Sequence, residues 1–437
     1  MPAAVIPREG HRAGEPFGFE RLSVFGLAVL LIACLAAPAL GQFATFLQLI
    51  AIGGILVLRF RGLPAILPLA LPLLLLPIFA SASALWSDVP GISLRYGLQL
   101  GVTVMMGLAL ARWLTPRQLV LAVFIGTAIA CLLGLALGRT GVSENGPVLI
   151  GLSGSKNQMG YIALFWLSAA LCVLASATHR ALTRIIAALA VLPASFLVIQ
   201  SDSATALVSM VVLVGLLAVL ALASFLGRGG RLFALVAGAL LAVPITVGLP
   251  EIERQIDLLR TDVLQKDARL TGRTLLWEDA DILIAQAPVI GHGYKAIWLG
   301  EKGKGLLARN KQKDGRAFHF HDTAREIMVD LGAVGLVLFL LPLALAAMRG
   351  VALLIAEIDA PRAFAAASLA TILLRIRTEL VIGPFMLDTV LLYAILAMLA
   401  AMPLALARPD AEGRPALFRM KPRAARSPLP QPQRNPA

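Results

Sequence analysis

Two histidines and an aspartate stand at the start of a long apolar run in the last third of the chain. The stretch AFHFHDTAREIMVDLG runs from Ala317 to Gly332 and holds two of only five histidines. Thr323-Ala-Arg-Glu326 fits a capping box, which predicts that a helix begins near Thr323. The positive end of the helix dipole disfavours imidazolium, so it would keep His321 neutral, as a general base requires. A polar helix cap and a metal ligand are the alternatives.

The metal interpretation is the weakest of the three. A metal ion needs three or four convergent ligands. His319, His321 and Asp322 are neighbours, but the three cysteines lie far apart in apolar runs and His292 is the other histidine that could join them. We therefore predict no metal ion at this stretch.

A second candidate site lies in TGRTLLWEDADILIAQAPVIGHGY, from Thr271 to Tyr294. Residues 273–287 form an amphipathic run that is too polar to span a membrane, so we expect it at the membrane surface. Arg273 and Trp277 are one helical turn apart and share a face. A cation near a helix start is unfavourable unless it meets an anion, which favours a phosphate-binding role for Arg273. The alternative is an interfacial helix with an arginine–carboxylate pair.

A third candidate site lies in GLSGSKNQMGY, from Gly151 to Tyr161. Ser155 to Gln158 fits a capping box, which puts Lys156 and Asn157 in the first turn of a helix. Free backbone N–H groups together with a lysine form an anion site. The alternative is a lysine that only extends its charge to the membrane surface.

Further charged residues interrupt apolar runs. Arg95 opens one such run, and Arg375, Arg377 and Glu379 break another. Ionisable residues at membrane depth are candidates for function. The group from Arg375 to Glu379 could equally form an internal salt bridge.

Composition places these polar groups in a membrane protein. The chain is 59% hydrophobic and 14% charged, whereas a soluble domain carries roughly 25% charged residues. Apolar runs near the ~20 residues of a spanning helix recur along the chain. We predict an all-α polytopic integral membrane protein with about 12 transmembrane helices and one long periplasmic loop that contains an amphipathic helix.

The basic residues predict the orientation of the chain. The net charge is +13, but the arginines cluster in alternate short loops and in the tail, which argues against a nucleic-acid partner and places both termini in the cytoplasm. The predicted organisation is a cytoplasmic segment at 1–21, transmembrane helices 1–9 at 22–249, the periplasmic loop at 250–322, transmembrane helices 10–12 at 323–407 and a disordered basic cytoplasmic tail at 408–437.

The outer face combines cations with a histidine kept neutral. Arginine binds phosphate through a bidentate fork, and lysine adds a point charge. A substrate with a diphosphate and a lipid tail would suit both these cations and the membrane. To break the bond between a sugar and such a diphosphate, the protein must neutralise the leaving diphosphate and deprotonate the acceptor hydroxyl. A flippase or transporter of lipid-linked oligosaccharides would instead concentrate its ionisable residues within the spans, and a structural scaffold would leave the outer cations unexplained.

The order of the motifs resembles the O-antigen ligase and polymerase superfamily, most closely the ExoQ-like exopolysaccharide production proteins. The motifs, spread from about residue 80 to 400, are Trp86-Ser-Asp-Val-Pro90 with Arg95, Gly154-Ser-Lys-Asn157, Ser201-Asp-Ser-Ala-Thr205, Gly272-Arg-Thr-Leu-Leu-Trp277, Gly291-His-Gly293, His321-Asp-Thr323, and Arg377 with Glu379.

The resemblance implies a glycosyltransferase of the bacterial inner membrane. It would polymerise or ligate undecaprenyl-diphosphate-linked oligosaccharides on the periplasmic face, in exopolysaccharide, O-antigen or lipopolysaccharide synthesis, with no metal ion or other cofactor. Its partners would be the lipid-linked glycan donor, a glycan or lipid acceptor, membrane lipid and polysaccharide-export proteins. His321 matches the base on the acceptor hydroxyl, and Arg273 matches the arginine on the diphosphate. The implied substrate-binding residues are Lys156, Asn157, Arg95, Trp277, Arg377 and Glu379.

The chain departs from the family pattern at two motifs. The family usually has His-Asn where this chain has His321-Asp322, and the aspartate could orient the imidazole or cap the helix as asparagine does. Ligases usually carry an arginine where this chain has Ser201-Asp-Ser203, which favours the polymerase-like branch.

Overall fold

The computed structural model describes residues 19–143, 146–238, 240, 273–309 and 319–404. Most of the predicted N-terminal segment, the predicted tail from 408 onwards and much of the predicted loop at 250–322 lie outside these residues. The side chain of Arg273 also lies outside them, although its backbone is described.

Helices dominate the described part of the chain, which confirms the predicted all-α class. They are α1 Phe19–Leu35, α2 Gln42–Leu58, α3 Leu67–Ala82, α4 Pro90–Trp113, α5 Pro116–Leu137, α6 Lys156–Ala175, α7 Ala181–Gln200, α8 Ala204–Ala223, α9 at 228–238, α10 Arg273–Gln286, α11 Ala296–Leu299, α12 Glu301–Arg309, α13 Thr323–Ala356, α14 Ala360–Arg375 and α15 Leu387–Ala401. Short 3-10 helices cover Pro38–Leu40, Phe60–Ile66 and Ser83–Leu85. Strands β1 Thr140–Ser143 and β2 Gly146–Leu149 form an antiparallel hairpin.

Six of the described helices, α4 to α8 and α13, are long and apolar enough to cross a membrane. Shorter apolar helices are α2, α15 and the segment Ala70–Leu85. Large apolar side chains such as Leu192 and Val211 are 76% and 69% exposed, which lipid would cover. The chain is therefore a multi-pass membrane protein, while the count of twelve spans stays a prediction.

Helix α6 lies in the interior of the bundle. Its apolar stretch is 78% buried, whereas those of α7 and α8 are 28% buried. Neighbouring helices pack against it closely where a residue is small: a Cβ added at Gly160 would lie 2.7 Å from the Cβ of Ala206. Small residues allow such close backbone approach between membrane helices. The N-terminus of α6 is thereby held at a fixed place in the bundle.

A loop segment repairs a break in α13. Gly332 has φ 62° and ψ −164°, which interrupts the helix. In an unbroken helix the amides of residues 333 and 334 would bond to the carbonyls of 329 and 330. Here the segment 288–293, which follows α10, takes both roles. The four bonds are His292 N–H to Val329 O, Gly293 N–H to Asp330 O, Ala333 N–H to Pro288 O and Val334 N–H to Val289 O. The carbonyls of Val329 and Asp330 and the amides of Ala333 and Val334 therefore all have partners, and α10 is fixed to α13.

Candidate active site

His321 sits in a tight turn directly before α13. Its φ of 53° lies in the left-handed region, which non-glycine residues adopt rarely and which clusters at functional sites. Its backbone N–H donates to Nδ1 of His319 at 3.1 Å, and the two rings lie 4.1 Å apart. The side chain of His321 is 22% exposed, so it remains accessible to a substrate.

Helix α13 begins at Thr323 as predicted, but its N-cap is Asp322. The capping box at Thr323 is therefore wrong, and the alternative that Asp322 caps the helix is confirmed. An Asp322 carboxylate oxygen accepts from the N–H of Arg325 at 3.0 Å. Aspartate is favoured over threonine at an N-cap, and its charge also suits the positive end of the helix dipole. The Thr323 hydroxyl is used elsewhere: it donates to the carbonyl of Glu379 at 2.6 Å. The start of α13 is thereby joined to the turn that follows α14.

Glu379 connects His321 to the N-terminus of α6. Its Oε2 lies 3.5 Å from Nδ1 of His321, and its Oε1 accepts from Nδ2 of Asn157 at 2.5 Å. The Glu379 side chain is 9% exposed. A carboxylate beside one imidazole nitrogen orients the ring and stabilises the imidazolium formed when the other nitrogen takes a proton. The structure therefore brings together His321, Asn157 and Glu379, all three predicted site residues.

Asp322 is also the anchor of two arginines. Its Oδ2 lies 2.8 Å from Nη1 of Arg325 and 3.3 Å from Nε of Arg377. The carboxylate is 1% exposed, whereas Arg377 is 57% exposed. Buried charge is tolerated where it is paired in this way. Asp322 thus supplies a negative charge, which an asparagine would lack, and this charge holds two guanidinium groups beside His321.

Helix α10 is tied to the same turn by two side chains. The indole N–H of Trp277 donates to the carbonyl of Phe320 at 3.0 Å. Arg325 bonds to Asp281 of α10 at 2.9 Å, and its guanidinium lies 5.0 Å from the centroid of the Trp277 ring. Arg273 opens α10 one turn before Trp277 and shares its helix face. Its position relative to His321 lies outside the described side chains.

Lys156 lies at the start of α6 and has a partner from the α7–α8 turn. Its Nζ lies 3.1 Å from the carbonyl oxygen of Asp202 and 3.4 Å from Oδ2 of the same residue. Ser155 caps α6 through Gln158 N–H, but the Gln158 side chain accepts from Gly154 N–H. The reciprocal bond of a capping box is therefore shifted by one residue.

Two predicted charged positions lie apart from this group. Arg95 is exposed on α4, and its guanidinium lies 5.7 Å from the ring of its neighbour Tyr96. In the described residues no hydrogen bond or ion pair joins Arg95 to His321. Arg375 forms the internal salt bridge considered above, but with Asp388 of α15 at 2.7 and 3.1 Å rather than with Glu379. Arg375 also lies over the ring of Tyr161, so it holds α14, α15 and α6 together.

His319, His321 and Glu379 could also hold a metal ion. Each offers one ligand atom, and these atoms lie within 4.8 Å of one another, which is enough ligands for an open zinc site. Burial, followed by the repulsion that a protonated His321 would exert, lowers the pKa of His319 to about 4, so this ring is neutral. However, its Nδ1 accepts a hydrogen bond, so Nε2 carries the proton. Metal binding at Nε2 would move that proton to a nitrogen that faces a donor, which opposes metal binding in this arrangement.

Sequence comparison finds a family model and a known protein that are similar to this chain. Residues 187–340 match the family model described as O-Antigen ligase. Over 265 residues the chain is 29% identical to the exopolysaccharide production protein ExoQ of Rhizobium meliloti (strain 1021), and the match covers 60% of each protein. The chain resembles the O-antigen ligases. The resemblance predicted from the motifs is confirmed. The chain spans 60% of the length of the curated ExoQ protein that it matches.

Part of the site falls outside the stretch that matches the O-antigen ligase family. That stretch contains α10, the segment 288–293 and His321, whereas Asn157, Arg377 and Glu379 lie before or after it. Sequence reasoning missed Arg325, Asp281 and the partner role of His319. The signal for Arg325 was present, because it lies three residues after Asp322, where side chains on a helix turn can meet.

Proposed function

We propose that this chain transfers a glycan from an undecaprenyl-diphosphate-linked donor to an acceptor hydroxyl on the periplasmic face of the inner membrane, with both termini in the cytoplasm. The product is a polymerised or ligated unit of exopolysaccharide or O-antigen. The observation that carries the proposal is the His321–Glu379–Asn157 group beside Arg325 and Arg377 at the start of α13. The O-antigen ligase match and the exopolysaccharide production relative support the substrate class.

His321 acts as the general base in the proposed reaction. Its Nε2 takes the proton of the acceptor hydroxyl, and the freed oxygen attacks the anomeric carbon of the donor sugar. The bond from that carbon to the diphosphate oxygen breaks, and the lipid diphosphate leaves with the electron pair. Glu379, at 3.5 Å from Nδ1, stabilises the imidazolium until its proton passes to water. General-base catalysis of this kind contributes about 10²- to 10⁴-fold.

The arginines hold the leaving diphosphate in this proposal. Arg377 is 57% exposed and fixed at its Nε by Asp322, which leaves its terminal nitrogens for a phosphate oxygen. Arg273 on α10 provides the second fork, and Lys156 adds charge at the helix start of α6. Cations held in place before the reaction stabilise the negative charge that develops on the leaving diphosphate. The residues thus provide both roles without a metal ion or cofactor.

The flippase alternative predicts a different distribution of charge. In the described part of the chain the charged groups around His321 gather at helix ends, and the buried Arg375 within the bundle is neutralised by Asp388. A path for a lipid-linked diphosphate across the bilayer would need available cations along the spans. This observation favours transfer over transport.

The proposal is tested with the purified chain in lipid bilayers that contain undecaprenyl-diphosphate-linked oligosaccharide. We expect longer glycans to appear, with one free undecaprenyl diphosphate released for each new glycosidic bond. A flippase would move the donor between leaflets with its sugar–diphosphate bond intact, and that result would overturn the proposal.

A chelator separates the two roles of the histidine pair. We expect full turnover after treatment with a strong zinc chelator, because His321 acts as a base and not as a ligand. Loss of turnover that Zn²⁺ restores would show that His319, His321 and Glu379 hold a required ion.

A further inference from the structure

A buried ion pair lies beneath the His321 turn. Nζ of Lys295 lies 2.5 Å from Oε1 of Glu326, and the two side chains are 7% and 3% exposed. Burying two charges carries a desolvation free energy that a well-packed apolar pair does not carry. A buried salt bridge is therefore weak evidence for a role in stability. The contacts of the pair indicate what else it does.

Glu326 holds the residue that precedes His321. Its second carboxylate oxygen, Oε2, accepts from the N–H of Phe320 at 2.9 Å. The carbonyl of Phe320 in turn accepts from the indole of Trp277, and its ring packs 4.7 Å from that of Trp298. Both backbone groups of Phe320 are therefore fixed. The left-handed turn at His321 starts from this fixed residue.

Lys295 is held just as firmly on the other side. It has φ 59° and follows Tyr294, whose N–H donates to Oγ of Ser83 at 2.9 Å. A Cβ at Gly293 would lie 2.6 Å from the Cβ of Ser87, so the loop fits tightly against the corner before α4. Burial would lower the pKa of Lys295, but the carboxylates of Glu326 and Asp330 raise it above its ordinary value. The lysine is therefore a charged anchor.

We propose that Lys295 and Glu326 form a positioning pair that sets the conformation of the His321 turn. Lys295 fixes one carboxylate oxygen of Glu326 to the corner before α4, and the other oxygen fixes the Phe320 amide. This inference rests on the proposed role of His321 as the base. Neither residue contacts the substrate, so the pair acts through the orientation of the imidazole.

Lys295→Met tests the pair because it keeps the length of the side chain and removes the charge. Glu326 is then left buried without its cation and turns away from Phe320. We expect kcat to fall on the order of 100-fold, since misplacement by about 1 Å has this effect, while KM changes little. Lys295→Arg restores the cation and should recover most of the lost kcat.

A double variant distinguishes positioning from simple loss of charge. In Lys295→Met/Glu326→Gln the charge that Glu326 would carry without its cation is also removed, and the glutamine oxygen still accepts from Phe320. We expect kcat well above that of Lys295→Met alone. Lys302→Met is the matched control, because Lys302 pairs with Asp88 at the surface, and it should behave as the parent.

A second readout does not depend on turnover. The rate at which diethyl pyrocarbonate modifies His321, measured by mass spectrometry with His179 and His292 as internal references, reports the environment of the ring. We expect this rate to change several-fold in Lys295→Met and to return to the parental value in Lys295→Arg. A parental rate and parental kcat in Lys295→Met would overturn the inference.

The outcomes separate the inference from the function. If the parent shows no turnover, the proposed function fails, and the modification rate still tests the pair. If Lys295→Met does not fold, the double variant decides. If the double variant loses kcat, substrate affinity and thermal stability together, the role of the pair is structural alone and the inference is overturned.

Discussion

At the scale of single residues, Asp322 has two separable roles. It caps α13 through Arg325 N–H, and its charge holds the guanidinium groups of Arg325 and Arg377. Asparagine can perform the first task but not the second. The residue therefore couples the stability of a helix to the arrangement of the proposed anion-binding side chains.

Substitution at Asp322 should separate these tasks. Asp322→Asn keeps the cap, whereas Asp322→Ala loses it at a cost of about 1 kcal/mol. We expect both variants to lose turnover, because Arg377 is no longer held, and the alanine variant to have the lower melting temperature. Equal melting temperatures would show that the cap contributes little, and parental turnover in Asp322→Asn would show that the charge is not needed.

Glu379 should matter for kcat more than for substrate binding. Glu379→Gln removes the charge beside Nδ1 of His321 and keeps the size of the side chain. We expect kcat to fall on the order of 100-fold, with a smaller loss in Asn157→Ala, where the carboxylate only loses its hydrogen-bond donor. Steady-state kinetics with the lipid-linked donor measures both. A larger effect in Asn157→Ala than in Glu379→Gln would contradict the proposed order.

Arg273 and Arg377 should require arginine rather than any cation. Lysine keeps the charge but cannot offer two parallel N–H donors. We expect Arg273→Lys to lower kcat/KM severely, because transition-state binding of the diphosphate is lost. Parental kcat/KM in Arg273→Lys would mean that its guanidinium does not hold the leaving group.

At the scale of elements, the break in α13 positions the site. Gly332 lets α13 open where the segment 288–293 inserts its backbone. This segment connects α10 to α13, so the helix that begins at Arg273 is fixed next to the turn of His321. These backbone bonds add to the side-chain contacts of Trp277 and Asp281 that also join α10 to this turn.

Gly332→Ala should destabilise the protein strongly. A Cβ at this position would lie 2.3 Å from the backbone of Val289, and φ is positive. Gly350→Ala on the same helix is the matched control, because its Cβ would meet only Leu399 at 3.7 Å. We expect the melting temperature to fall in the first variant and to stay or rise in the second. Equal melting temperatures would show that the break is not required.

Sequence patterns predicted the helices and His321 but not the contacts between them. The apolar runs reveal α4 to α8 because lipid requires long apolar helices. The Asp388 partner of Arg375, the Glu379 carboxylate beside His321 and the 288–293 segment at Gly332 all depend on tertiary packing. No spacing in the chain encodes such pairs. Asp322 caps α13 instead of Thr323 because the threonine hydroxyl donates a hydrogen bond to the carbonyl of Glu379, which lies 56 positions further along the chain.

At the scale of the whole molecule, four separate segments build the proposed site. They are the start of α6, helix α10, the turn before α13 and the turn after α14. The arginine distribution predicts that all four lie on the periplasmic face. This orientation connects the proposed site to a lipid-linked donor presented at that face.

Cysteine labelling measures the orientation directly. The three native cysteines are buried, so an added surface cysteine reacts selectively. We expect Lys302→Cys on α12 to react in intact spheroplasts with a membrane-impermeant maleimide, and Arg228→Cys, at the start of α9, to react only after permeabilisation. The reverse pattern would show the opposite orientation and would exclude a periplasmic site.

The most direct test of the central claim compares two histidine variants of the purified chain in bilayers. His321→Ala removes the proposed base, and His179→Ala removes a histidine from the α6–α7 loop as the matched control. The measurement is the rate at which glycan lengthens and undecaprenyl diphosphate is released. We predict that turnover falls by at least about 100-fold in His321→Ala, with correct membrane insertion, and that His179→Ala keeps the parental rate. Turnover at the parental rate in inserted His321→Ala protein would contradict the assignment of His321 as the base.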